Sequence, residues 1–144
     1  MIRSVLIAFF LVALAISCRG SEQETFALKN AVISTGQKEL PESYPAFTRY
    51  PGSQILISGI YTDTSLFEDP EGAAVLKTAD DSERVGRYYA TSFEKSGWNV
   101  IQSHRQGEEI LIMAESPFRR LVTVVLRGSG PTLIRLYTKR PGGN

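Results

Sequence analysis

The chain has 144 residues, with 16 Lys and Arg against 15 Asp and Glu for a formal net charge of +1, and 42% of its residues are hydrophobic. That length fits one small domain with a short appendage, and the even charge lacks the basic excess of a nucleic-acid binder. One Cys and one His exclude an internal disulfide, a multi-cysteine zinc or iron–sulfur site and a His-rich cluster, so neither metal nor other cofactor is expected.

An export leader opens the chain. Arg3 precedes Val5–Ile16, an apolar run of twelve residues, and polar residues follow from Ser17 onward. A helix of that length spans about 18 Å, well short of the roughly 30 Å hydrocarbon core of a bilayer. Residues 1–17 therefore read as a signal peptide and not as a membrane span. On the residues alone two other outcomes stay open. Ala13-Leu14-Ala15 fits the A-x-A site of ordinary signal peptidase, which leaves Cys18 a free thiol, and an uncleaved anchor is the third outcome.

Leu14-Ala15-Ile16-Ser17-Cys18 resembles the lipobox of bacterial lipoproteins, where a small residue precedes the Cys. Ala15 stands where that motif usually has Leu, and Ile16 is larger than its usual counterpart. The resemblance implies cleavage between Ser17 and Cys18, a thioether-linked diacylglycerol on Cys18, and acylation of the new amino terminus. Chains acylated in this way are held stably on membranes, which a single acyl chain does not achieve. The resemblance further implies a cell-envelope address. Because Arg19 and not Asp follows the Cys, it favours the outer membrane over the inner.

Beyond Cys18 the chain is mostly polar as far as Leu40, broken by a weak apolar patch from Phe26 to Ile33. Residues 18–40 read as the lipidated end and tether, with one short docked element, and residues 41–144 as the domain. Pro41, Pro45 and Pro51 keep the lead extended, and Tyr50-Pro51-Gly52-Ser53 marks a turn. Gln54–Thr62 reads as a strand in which Gly59 predicts a bulge or a close backbone approach. Thr62–Gly72 is an acidic loop, read as solvated, that ends in a type I turn over Asp69–Gly72. Ala73–Thr78 is a second strand.

The helix is predicted over Asp80–Ser96. Asp80 and Glu83 have capping-box spacing, and Val85, Tyr89 and Phe93 mark one apolar face. Gly97 suits a left-handed residue that ends the helix, which places Trp98 over Phe93 as a structural plug. Four further strands follow, Asn99–His104, Glu108–Glu115, Arg120–Arg127 and Thr132–Lys139, separated by short Gly- or Pro-containing breaks typical of hairpins. The expected fold is α+β, two layers, with one helix packed on an antiparallel sheet in the order β-β-α-β-β-β-β and one sheet face solvated. Leu40-Pro41, Tyr50-Pro51-Gly52-Ser53, Tyr88-Tyr89 and Gly97-Trp98 together resemble a recurrent module of exported bacterial proteins and lipoproteins. Those motifs define a fold and not a catalytic site.

The chain has no Gly-rich phosphate loop, Cys-x-x-Cys, His-Glu-x-x-His or Gly-x-Ser-x-Gly. His104 ends a strand with no nucleophile beside it. Charge is uneven: seven acids lie between Asp63 and Glu83 against Lys77 alone, whereas six bases and no acid follow Ser116. Arg119, Arg120, Arg127 and Arg135 are the candidate contacts for an envelope protein, anionic lipid or glycan, Arg127 and Arg135 sharing a face if the register allows. The leading expectation is a lipid-anchored, non-enzymatic binding or scaffolding domain. The alternative is a small-ligand receptor or enzyme whose helix–sheet groove carries Arg84, Tyr88 and His104.

Overall fold

The computed structural model describes residues 22–62 and 71–139. Its strands are β1 (Glu24–Ala27), β2 (Ala31–Thr35), β3 (Gln54–Tyr61), β4 (Glu71–Thr78), β5 (Asn99–Gln106), β6 (Glu109–Glu115), β7 (Leu121–Arg127) and β8 (Thr132–Lys139), and helix α1 (Ser82–Lys95) lies between β4 and β5. All eight strands form one sheet in the order β1-β2-β3-β4-β8-β7-β6-β5, with every neighbouring pair antiparallel. The class is α+β with a helix packed on a sheet, as expected.

The element order differs from the expected one, because two strands precede those read from the sequence. β1 and β2 come from the stretch read as tether, and β2 pairs with β3 from Ala31↔Tyr61 to Thr35↔Ile57. They are four and five residues long, and β1 is exposed throughout. Such strands hold their place by backbone pairing and show little hydrophobic periodicity. The bulge in β3 falls between Ile55 and Ile57, not at Gly59. Glu71 and Gly72, read as turn, open β4, and Asp69 and Pro70 lie outside the described residues.

Alternation along the strands separates two faces. Val122, Val124 and Leu126 of β7 and Ile134 and Leu136 of β8 are buried on one of them. There they meet Val85, Tyr89 and Phe93 of α1, all with no exposed surface. Full burial of one such side chain is worth about 1.5–3 kcal/mol. The N-cap is Asp81, not Asp80: the Arg84 N–H donates to Asp81 Oδ1 at 2.8 Å. That bond is the main reason the Asp81 carboxyl sits below its ordinary value. Asp80 is engaged elsewhere, accepting from Tyr50 Oη at 2.6 Å and pairing with Arg84 Nη1 at 3.3 Å, so the cap moves one residue on.

The C-terminal end of α1 forms as the sequence predicts. Gly97 has φ +72°. Its N–H donates to the Glu94 carbonyl at 3.0 Å, and the Trp98 N–H donates to the Phe93 carbonyl at 2.9 Å, the paired bonds of a Schellman ending. Trp98 and Phe93 pack with ring centroids 6.1 Å apart, and Phe47 meets both edge-on.

Phe47 belongs to the proline-rich lead, which lies over the helix side of the sheet without regular strand structure. Tyrosine phenols tie it down. Tyr89 Oη donates to the Thr48 carbonyl at 2.7 Å, Tyr88 Oη to the Phe47 carbonyl at 3.1 Å, and Tyr44 Oη to the Gly59 carbonyl of β3 at 3.1 Å. The Tyr44 ring covers Gly72 so closely that a Cβ there would lie 2.6 Å from the phenol oxygen. Gly72→Ala should therefore displace Tyr44 and cost about 1–3 kcal/mol in urea unfolding. Gly59→Ala, whose Cβ would meet nothing closer than 3.8 Å, should cost less.

Burial raises the phenols of Tyr44 and Tyr89 above their ordinary value of 10.0. Burial first, and then the bond to Asp80, raises Tyr50. A group whose folded pKa exceeds its unfolded one contributes stability that is intact below the unfolded value and lost as pH rises toward the folded one. Stability should thus decline above about pH 10. Phenolate absorbance from Tyr44, Tyr50 and Tyr89 should appear only together with loss of the circular dichroism of the fold. Ionisation of all six tyrosines before any unfolding would contradict this.

Candidate functional site

The register defines what the sheet presents away from the helix. Residues opposite one another in a ladder share a face. One row runs Ile33, Gly59, Ala73, Tyr137, Thr123, Met113, and the next Thr35, Ile57, Val75, Arg135, Val125, Leu111. The sequence predicts a solvated face here. The structure leaves this face open to solvent but sets apolar side chains across its centre, where Ile57 and Tyr137 are 39% and 46% exposed. A signal for this was present. Ile110–Met113 and Leu121–Leu126 are nearly unbroken apolar runs, the mark of strands covered on both faces and not on one.

Within this face lies a groove of about 390 Å³, floored by Gly59 and Ala73 and lined by Tyr61 and Tyr137. Glu71 and Lys139 also line it and pair with each other at 3.0 Å. Sequence reasoning did not single out either tyrosine, because each lies near a strand end and only the pairing across β4 brings the two together.

The four candidate arginines do not form one cluster. Arg127 and Arg135 do share the outer face, since Arg127 is opposite Leu133 and Arg135 opposite Val125. Arg135 pairs with Glu109 at 3.7 Å, and Glu109 lies across the ladder from Arg127. Arg119 and Arg120 lie at the other end of β7, in the turn after β6. Arg119 has φ +61° and reaches Glu115 at 4.0 Å. The Arg120 N–H donates to Ser116 Oγ at 2.9 Å. Cys18, Arg140 and the acids Asp63, Glu68 and Asp69 lie outside the described residues.

The helix–sheet constellation is not assembled. Arg84 is held by Asp80, and the Tyr88 phenol is taken by main-chain carbonyls of the lead. His104 is on the opposite face of the sheet, beside Gln102 and across from Leu111. The cause is a bulge between Val100 and Gln102. One extra residue reverses which face each later side chain takes, so Arg105, and not His104, faces the helix and pairs with Glu83. The helix–sheet interface is closed by Val85, Tyr89 and Phe93.

No helix among the described residues is long and apolar enough to cross a membrane, and those residues hold no group of three or more His, Cys, Asp or Glu placed to bind a metal. Comparison with protein-family models, curated proteins and solved structures returns no match.

Among the described residues, Arg135 is the one cation in the middle of the outer face, and its side chain is about one-third exposed. Arg135→Glu sets two carboxylates against each other at Glu109. It should lower the melting temperature by a few degrees at low salt and by less in about 1 M NaCl, where the Debye length falls to roughly 3 Å.

Proposed function

We propose that this chain is a bacterial cell-envelope lipoprotein, held by acyl chains on Cys18, whose domain acts by binding or scaffolding and not by catalysis. The observation that carries this reading is the single Cys placed two residues after a twelve-residue apolar run behind Arg3. The outer membrane is the proposed address, because Arg19 follows the Cys. The open apolar sheet face is the part of the domain offered to a partner, since apolar patches of this kind mark interaction sites.

The start of β1 refines the picture of the tether. Glu24 is six residues beyond Cys18, and six extended residues reach at most about 22 Å. The sheet is then held close to the headgroups, on a leash much shorter than residues 18–40.

The test is labelling with a radioactive fatty acid in a bacterial host, followed by membrane fractionation. The native chain should take up label and sediment with membranes, whereas Cys18→Ser should take up none and become soluble. A Cys18→Ser chain that stays on membranes, beside an unlabelled native chain, refutes lipid anchoring.

A further inference from the structure

We infer that the outer face of the sheet is a self-association surface on which a second copy of this chain packs, sheet against sheet. This goes beyond lipid anchoring and does not depend on it.

Three observations support the inference. The first is anatomy. The centre of the face is apolar, carrying Ile57, Val75, Val125 and Leu111 in one row. Charges gather toward its two ends, Lys77, Arg127 and Glu109 at one and Glu71, Lys139 and Glu115 at the other. An apolar core within a polar rim is how protein interfaces are built, and arginine, as at Arg135, is enriched in them. Among the described residues, the apolar runs of β6 and β7 have one side covered by α1 and the other uncovered, which a second sheet supplies at about 10 Å.

The second observation is extent. Eight strands about 4.8 Å apart make a face roughly 38 Å wide, and about 20 Å of strand length gives a footprint on the order of 750 Å². A stable complex buries about 800 Å² on each partner. The third is charge. Glu24, Glu71, Glu109 and Glu115 on this face are balanced by Lys77, Arg127, Arg135 and Lys139. A face of zero net charge meets itself without repulsion, whereas an anionic bilayer calls for a basic excess.

The division of those charges selects an arrangement. The β1–β4 half has Glu24 and Glu71 against Lys77, and the β5–β8 half has Arg127, Arg135 and Lys139 against Glu109 and Glu115. A twofold axis parallel to the strands lays the acidic half of each copy on the basic half of the other, in an isologous contact that closes on itself. Tyr137, on the central strand β8, is then near the axis and faces its own counterpart.

The test uses the full chain extracted from membranes in a mild detergent, with its mass read by sedimentation and light scattering. The native protein should be a dimer. Ile57→Glu and Tyr137→Glu change side chains that are already 39% and 46% exposed, so the fold should keep its circular dichroism and melting temperature. Each should weaken the dimer at least about 100-fold, the scale of an unpaired buried charge. A photo-crosslinking residue at position 137 should give a dimer band in intact membranes, and one at position 87 on the helix should not. A native protein that is monomeric at about 100 μM, variants that remain dimeric, or crosslinks from position 137 only to other proteins each overturn the inference. Cys18→Ser should leave the dimer intact, so failure of lipid anchoring and failure of self-association are read separately.

Discussion

The hydrogen bonds from tyrosine phenols to main-chain carbonyls hold this structure together. A proline-rich lead covers the helix side of the sheet, and a segment without regular partners leaves carbonyls that burial would make costly. Tyr44, Tyr88 and Tyr89 answer that need with long, stiff side chains whose rings fill the interior while their oxygens reach the main chain. Tyr50 adds a fourth tie by reaching Asp80 at the start of the helix. The lead, the helix and β3 are thereby locked to one another, and Thr48 at the point of contact is almost fully buried. The aromatic cluster of Phe47, Phe93 and Trp98 continues the same contact to the far end of the helix.

What the sequence made legible was local. The Gly97-Trp98 ending of the helix depends on residues within six positions of one another, and it formed bond for bond. The last four strands were found within a few residues of their ends because Gly- or Pro-containing breaks separate them, and β8 matches at both ends. What stayed hidden depended on partners distant in the chain. β1 and β2 exist because β3 accepts their edge, and Asp81 caps the helix while Tyr50, thirty residues earlier, holds Asp80. The side taken by His104 was decided by one additional residue in an edge strand, which alternation read forward from Asn99 does not reveal. The outer face was legible in part, since the apolar runs of β6 and β7 already lacked the polar alternation of a solvated sheet.

The two faces of the sheet have different characters. One is finished at its centre: Val122, Val124, Leu126, Ile134 and Leu136 are buried beneath helix and lead, and the tyrosine phenols that enter it are hydrogen-bonded. The other is broad, apolar at its centre and electrically balanced. This contrast directs attention from the helix groove, where a pocket for chemistry would ordinarily be sought, to the surface on the opposite side. It also gives Arg127 and Arg135 a place on that face, Arg135 amid its apolar rows and Arg127 at one end, and separates them from Arg119 and Arg120 in a turn some 20 Å away by strand length.

The position of β1 has a consequence for encounter as well as for attachment. Under the proposed lipid anchor, a domain held by six residues would move in a layer no thicker than itself, and copies in one membrane would share that thin layer in place of the full volume of the compartment. Confinement of this kind raises effective concentration, as a short linker does between two joined modules. A face-to-face contact that already forms between freely diffusing chains is strengthened there by crowding in two dimensions. The number of copies per unit of membrane area, and not the amount in the cell, then sets how many are paired.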